Sequence, residues 1–140
     1  MRSRIRNLPL PEGYLVGLAV ACALPRTRLN PLVRSLGWAL IASGAGLVIS
    51  SVRATGEVDL ERADRLVTTG PYANVRNPMY VGWALASLGI GLVTNAGWIV
   101  ATTPLAAWWT HWDVLREESH LAARFGEEFD AYRARVPRYL

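Results

Sequence analysis

The sequence predicts an all-α integral membrane protein: a helical bundle of about four spans, the last two forming a tight hairpin, followed by a cytoplasmic helical tail. Of its 140 residues, 51% are hydrophobic and six are tryptophan. Two runs without a formal charge, residues 35–52 and 79–112, are separated by a polar segment that carries arginine. Apolar runs of this length are typical of helices that cross a bilayer. The length predicts a single domain over residues 1–140.

The first two predicted spans differ in regularity. Residues 9–25 form a weak span, since an uninterrupted apolar run begins only at Gly13 and a span needs about 20 residues. The preceding basic stretch resembles a signal peptide, but no clear small-residue cleavage site follows, so we predict a retained span. Residues 35–52 form the clearest span, and glycines such as Gly37 and Gly44 favour close approach of another helix.

Residues 79–112 are too long for one span. A single helix of this length would rise about 51 Å, whereas the hydrocarbon core is about 30 Å thick. The polar turn Thr94-Asn95-Ala96-Gly97 divides the run into two spans, residues 79–93 and 97–112. Tryptophans mark the two membrane interfaces. They are Trp98 at one end and Trp108, Trp109 and Trp112 at the other.

The distribution of arginine predicts the orientation in the membrane. All fifteen basic residues are arginine, and four spans would leave only Arg26, Arg28 and Arg34 on the side opposite the termini. The positive-inside rule therefore predicts cytoplasmic termini. The arginine bias is typical of a GC-rich bacterial genome, so we predict a bacterial inner membrane. Scattered beside apolar runs, these arginines indicate contact with membrane lipids rather than with nucleic acid.

Cysteine and histidine provide little for a metal site. Cys22 is the single cysteine, which excludes an intramolecular disulfide and a cysteine-based metal centre. The two histidines, His111 and His120, have no convincing ligand spacing, so no metal is predicted. His111 lies among tryptophans, which favours an interface residue over a general base.

The tail, residues 113–140, is predicted to be helical. Its apolar residues recur at intervals of three and four and form one face. They are Leu121, Phe125, Phe129, Tyr132 and Val136. Glu117 continues this face by one turn, and Glu118 lies beside it. Gly126 is predicted to interrupt the helix and Pro137 to end it.

A polar loop, residues 66–78, leads into the third span. The loop and the tail are the two ends of one predicted hairpin, so we expect Arg76, Asn77 and the nearby tyrosines to face the two glutamates across a small cavity. A carboxylate pair on a mainly apolar helix face needs partners, because burying a charge is costly. An Arg76–Glu salt bridge that only locks the hairpin is the structural alternative.

These residues resemble a known family. The motif Gly70-Pro71-Tyr72…Val75-Arg76-Asn77-Pro78-Met79-Tyr80-Val81-Gly82 is followed by Glu117-Glu118…Leu121…Phe125-Gly126…Tyr132…Val136-Pro137-Arg138. Together they resemble the isoprenylcysteine carboxyl methyltransferases and the related phospholipid N-methyltransferases, in order and spacing, over residues 66–138. The resemblance implies an integral membrane enzyme that transfers a methyl group from S-adenosylmethionine to a lipophilic acceptor such as a carboxylate or an amine. The family commonly has histidine where this chain has Asn77.

The resemblance also implies that the two motifs form the cofactor pocket. Arg76 suits the cofactor's carboxylate, and the glutamates suit its ribose hydroxyls or ammonium. We therefore predict Arg76, Tyr80 and Glu117 as catalytic residues. The predicted cofactor-binding residues are Tyr72, Arg76, Asn77, Pro78, Tyr80, Gly82, Glu117 and Glu118. Gly82 enters this set because a missing side chain would permit close approach of the cofactor.

Two alternative functions are compatible with these motifs. Sterol reductases bear a related C-terminal pattern, which would make the protein an NADPH-dependent reductase, although the chain lacks further spans to house a sterol. A non-catalytic membrane scaffold would use the arginine–glutamate pairs only to hold the hairpin. The residues specify neither the acceptor nor the oligomeric state.

Overall fold

The computed structural model describes residues 12–56 and 64–140, and every regular element in this part of the chain is helical. The helices are α1 (Glu12–Ala23), α2 (Pro31–Thr55), α3 (Pro78–Val93), α4 (Ile99–Phe125) and α5 (Glu127–Arg135), with a 3₁₀ turn at Gly70–Ala73. The prediction of an all-α fold is confirmed. Residues 9–11 of the predicted first span, the basic stretch before it and the acidic part of the loop after α2 lie outside the described residues.

One of the described helices has both the length and the apolar composition to cross a membrane, and it is α2. The helices α1 and α3 are apolar but have 12 and 16 residues. They rise about 18 and 24 Å, less than a hydrocarbon core of about 30 Å. The helix α4 has 27 residues but continues without a break past residue 112 into the charged tail. The four predicted spans are therefore not confirmed, because three of the helices are too short or too polar.

Facing glycines allow α2 and α3 to pack closely. A Cβ on Gly44 would lie 2.5 Å from the carbonyl oxygen of Gly82, and a Cβ on Gly37 would lie 2.9 Å from that of Gly89. No side chain fits at either crossing point, so the backbones touch. The predicted role of small residues in the second span is confirmed.

The turn between α3 and α4 anchors the connection between α1 and α2. Asn95 has a positive φ of 60°, which asparagine tolerates better than most residues. Its Oδ1 accepts a hydrogen bond from the N–H of Leu29 at 3.3 Å, and Arg26 Nη1 donates to the carbonyl of Thr94 at 3.0 Å. The predicted hairpin is therefore present, and this end of the bundle is held by polar contacts.

At the other end, α5 folds back on α4. Gly126 has a φ of +48° and separates the two helices, and α5 ends at Arg135, shortly before Pro137. Phe129, Tyr132 and Val136 are buried here. They pack against Leu66, Leu121, Ala122 and Phe125. Both predicted breaks in the tail are confirmed, and the predicted apolar face forms a small core.

Candidate functional site

The loop before α3 meets α4, α5 and the residues after α5 at this end of the bundle. We name residues 136–140 the C-terminal segment. Tyr132 donates from its hydroxyl to the carbonyl of Tyr72 at 2.6 Å, and the backbone N–H of Arg76 donates to the carbonyl of Pro137 at 2.9 Å. The two ends of the α3–α4 hairpin therefore lie together, as the topology predicts.

Glu118 of α4 is the centre of a charged network. Arg76 donates from Nε to Oε1 at 3.1 Å and from Nη2 to Oε2 at 3.3 Å. Arg138 donates to Oε2 from Nη2 at 2.8 Å and from Nε at 3.0 Å, and Asn77 Nδ2 donates to Oε1 at 3.1 Å. Burial by itself would raise the pKa of Glu118, but these hydrogen bonds and the charge of Arg76 hold the pKa below its usual range. Glu118 is an ionised carboxylate with its charge compensated.

Arg76 joins three parts of the fold. Besides its bonds to Glu118, it donates from Nη1 to the carbonyls of Arg133 at 3.0 Å and Val136 at 2.9 Å. Its side chain is only 10% exposed. The guanidinium therefore ties the loop to α4, to the end of α5 and to the C-terminal segment.

Glu117, the preceding residue, has a different environment. Its hydrogen-bond partner among the described residues is Tyr80, whose hydroxyl donates to Oε2 at 3.3 Å. Burial raises the pKa of Glu117, the bond from Tyr80 lowers it in part, and the charge of Glu118 raises it further. Glu117 is thus a carboxylate with unused acceptor capacity in a poorly solvated place.

Two cavities lie on either side of the Tyr80–Glu117 pair. The polar cavity has a volume of about 50 Å³ and includes Tyr72, Arg76, Asn77, Glu117 and Glu118 in its lining. The apolar cavity has a volume of about 510 Å³ and lies against α1, α3, α4 and the C-terminal segment. Glu117 lines the first and Tyr80 lines the second. Their hydrogen bond therefore lies between the two.

Two residues of the predicted set do not line either cavity. Pro78 is fully buried at the first turn of α3, where it serves the start of the helix. Gly82 faces α2, because a Cβ there would lie 2.7 Å from Val48 Cγ2 and 2.9 Å from the carbonyl oxygen of Gly44. The predicted approach of a cofactor at Gly82 is therefore wrong in its geometry, since a neighbouring helix fills the space.

Sequence reasoning left the role of Arg138 open, between the pocket and lipid headgroups, and did not assign Tyr139 or His111 to the site. Arg138 pairs with Glu118, and the Tyr139 hydroxyl is 3.0 Å from His111 Nδ1. His111 lies two helical turns before Glu118, so helical spacing alone places the two on one face of α4. The ring of His111 contacts Tyr139 and lines the apolar cavity, and its place at a membrane interface stays a prediction.

Within residues 12–56 and 64–140, no group of three or more histidine, cysteine, aspartate or glutamate side chains is arranged to hold a metal ion. The ionisable groups of the site are paired with one another or with tyrosine.

Comparisons with known proteins identify relatives of this chain. Residues 32–128 match the family model of the phospholipid methyltransferases. The chain is 37% identical over 78 residues to the nickel-cobalt-cadmium resistance protein NccN of Alcaligenes xylosoxydans xylosoxydans, which covers 56% of this chain and 37% of that protein. It is 30% identical over 114 residues to the cobalt-zinc-cadmium resistance protein CzcN of Cupriavidus metallidurans, or 81% of this chain and 51% of that protein.

A third relative is a methyltransferase by name. The chain is 37% identical over 83 residues to the human protein-S-isoprenylcysteine O-methyltransferase, which covers 57% of this chain and 29% of the human protein. This chain therefore spans about half or less of the length of each of these relatives. No solved structure matches it.

Proposed function

Because this chain belongs to the phospholipid methyltransferase family, we propose that it transfers a methyl group from S-adenosylmethionine to a lipophilic acceptor at the membrane interface. Relatives that methylate isoprenylcysteine support a lipid-like acceptor. The observation that carries the proposal is the Tyr80–Glu117 hydrogen bond, because it joins a charged cavity to an apolar one. Transfer between a polar cofactor and a lipid needs such a junction.

The side chains around the polar cavity fit the charges of S-adenosylmethionine. That molecule carries a carboxylate, an ammonium, ribose hydroxyls and a sulfonium, and when bound it supplies the methyl group. Arg76 and Arg138 are guanidinium groups suited to a carboxylate. Glu117 has acceptor capacity for the ammonium or for a hydroxyl, and Tyr72 presents an aromatic ring to a cation. We therefore propose that these four residues, with Asn77 and Glu118, hold the cofactor.

The polar cavity has to widen to admit the whole cofactor. Its volume is about 50 Å³, whereas ligand pockets have about 300–1,000 Å³. Arg76, which lines the cavity, is bonded to the C-terminal segment through the carbonyls of Val136 and Pro137. We infer that the C-terminal segment moves away when the cofactor binds, because a cofactor carboxylate would compete for the same guanidinium.

The apolar cavity is the proposed acceptor site. Its volume of about 510 Å³ is within the range of ligand pockets. Val81, Ala84 and Leu85 of α3 face Pro104 and Ala107 of α4 across it. A hydrocarbon chain would gain about 25 cal/mol for each Å² of apolar surface that it buries there. Tyr80 at the edge of this cavity would bring the acceptor's polar group close to Glu117.

The proposed location is a bacterial inner membrane with cytoplasmic termini. The family is membrane-associated, and α2 is long and apolar enough to span. Trp108, Trp109 and Trp112 of α4 are more than half exposed, as residues at a membrane interface are. Twelve of the fifteen arginines would lie on the side of the site in the predicted topology, which supports a cytoplasmic site at the headgroups.

Calorimetric titration of the purified full chain tests the proposal. We expect binding of S-adenosylmethionine and of its demethylated product S-adenosylhomocysteine, and no binding of NADPH. Binding of NADPH alone would favour the reductase. Binding of none of the three would favour the scaffold, in which the Arg76–Glu118 pair only holds the hairpin.

Variants of Glu117 and Arg76 test whether the cofactor binds at the polar cavity. We expect Glu117→Gln to weaken binding of S-adenosylhomocysteine at least tenfold, because one carboxylate is lost while the shape is kept. Glu128→Gln is the matched control, since Glu128 is an exposed acid of α5 that lines neither cavity. Wild-type affinity in both Glu117→Gln and Arg76→Lys would exclude the proposed pocket.

A further inference from the structure

His111 of α4 lies at the polar edge of the apolar cavity. Its Nδ1 is 3.0 Å from the hydroxyl oxygen of Tyr139, and the two ring centroids are 5.9 Å apart. Both rings line the cavity, and so does Tyr80. The imidazole therefore faces the same space as the tyrosine that contacts Glu117.

The residues around this cavity discriminate between classes of acceptor. No arginine lines it among the described residues, and Arg76 and Arg138 contact Glu118, which lines the polar cavity instead. An acceptor carboxylate would find no cation there, and an uncompensated charge in an apolar place is strongly disfavoured. A hydroxyl carries no charge and meets no such penalty, and an amine, which is an ammonium ion in water, loses its charge when it gives up a proton to a base at the cavity.

We propose that His111 takes up the proton of an acceptor that carries an amine or a hydroxyl, with Tyr139 as the residue that positions its ring. This inference rests on the proposed function. In the tautomer that this proposal requires, Nδ1–H donates to the hydroxyl oxygen of Tyr139. The lone pair is then on Nε2, which has no hydrogen bond to any described residue.

The proton transfer is balanced. An N–H bond of the acceptor's ammonium group, or the O–H bond of its hydroxyl, breaks, and the electron pair stays on the nitrogen or oxygen as the pair that methyl transfer requires. A new N–H bond forms at Nε2, and the imidazolium returns the proton to water. A carboxylate acceptor has no proton to lose at neutral pH, so His111 would serve no purpose for it.

Nitrogen NMR of the ring tests the tautomer directly. The chain has two histidines, so histidine labelled with ¹⁵N yields two sets of ring signals, and His120→Gln assigns them. We expect Nδ1 of His111 to carry the proton, and we expect Tyr139→Phe to change the tautomer mixture. Addition of dodecylamine should shift the His111 signals and leave those of His120 in place. A proton fixed on Nε2, or no response to the amine, would overturn the inference.

Methyl transfer from labelled S-adenosylmethionine to a membrane lipid extract provides the second test. We expect His111→Gln to lower the rate about a hundredfold or more, the usual range for loss of a general base, while S-adenosylhomocysteine binds as to wild type. His120→Gln is the control. An unchanged rate in His111→Gln would exclude His111 as proton acceptor and leave the proposed function standing. If the wild-type chain does not bind S-adenosylhomocysteine, the proposed function itself is contradicted.

Discussion

Glu117 and Glu118 are neighbours on α4, yet the structure places them in opposite environments. Glu118 accepts hydrogen bonds from Arg76, Arg138 and Asn77, and its pKa is lowered. Glu117 has Tyr80 as its partner among the described residues, and its pKa is raised. A compensated carboxylate stabilises a fold, whereas an uncompensated one at a cavity is available for a ligand. The comparison indicates that Glu118 holds the arginines of the site in place, whereas Glu117 keeps acceptor capacity for a ligand.

The largest expected effect comes from removing the compensated carboxylate. We expect Glu118→Ala to lower the free energy of unfolding by about 3–5 kcal/mol, because it leaves the largely buried Arg76 without its counter-charge. Thermal unfolding followed by circular dichroism measures this loss. Glu117→Ala is the matched variant and should cost far less. Equal losses of unfolding free energy in Glu118→Ala and Glu117→Ala would show that the two glutamates do not differ in their structural role.

A smaller effect is expected at Gly82, which distinguishes packing from binding. Gly82→Ala should destabilise the protein by about 1–3 kcal/mol, because the new methyl group meets Val48 and the carbonyl of Gly44. Gly46→Ala has open space around it and should be neutral or stabilising by up to about 1 kcal/mol. If Gly82→Ala weakens S-adenosylhomocysteine binding without changing stability, Gly82 is part of the binding site.

The pH dependence of stability should have opposite signs for the two glutamates. Because the folded pKa of Glu118 is lowered, its stabilisation is complete above its ordinary pKa of 4.5 and is lost as the pH falls through the folded value. Because the folded pKa of Glu117 is raised, its contribution is most favourable below 4.5 and declines as the pH rises through the folded value.

Denaturation of three proteins across this pH range measures both signs. As the pH rises, wild type should gain stability relative to Glu118→Gln and lose it relative to Glu117→Gln. Parallel curves for the two variants would show that the two environments do not differ.

The smallest effect on stability is expected at the junction of the cavities. Tyr80→Phe removes one hydrogen bond to Glu117 and should cost about 0.5–1.5 kcal/mol. Methyl transfer to a lipid extract should fall more steeply than stability, since the hydroxyl lies between the two cavities. A loss of stability as large as that of Glu118→Ala would make Tyr80 a structural residue instead.

Periodicity and turn chemistry were sufficient for much of the fold. The turn at Asn95, the break at Gly126 and the stop before Pro137 follow from local preferences that do not depend on distant residues. The meeting of Arg76 with the glutamates followed from topology, since the two ends of a hairpin must lie together. The number of spans was not predictable in this way, because charge-free length does not reveal where a helix starts, bends or continues.

The role of individual site residues depended on contacts between distant parts of the chain. The sequence shows only that Gly82 has no side chain. The crossing with α2 shows that a neighbouring helix occupies the space beside it. His111 has tryptophan neighbours in sequence, but the direction of its ring depends on Tyr139, which lies 28 residues away. Such contacts have no local signal.

The sequence by itself determined that this chain is helical, that its longest apolar helix is α2, and that two polar motifs meet at the ends of a hairpin. These properties follow from composition, spacing and connectivity, which act along the chain. Only the tertiary structure decided which glutamate is neutralised by arginine and which has a tyrosine as its partner. That choice depends on the rotation of α4 against the loop and the C-terminal segment, because adjacent residues on a helix point about 100° apart.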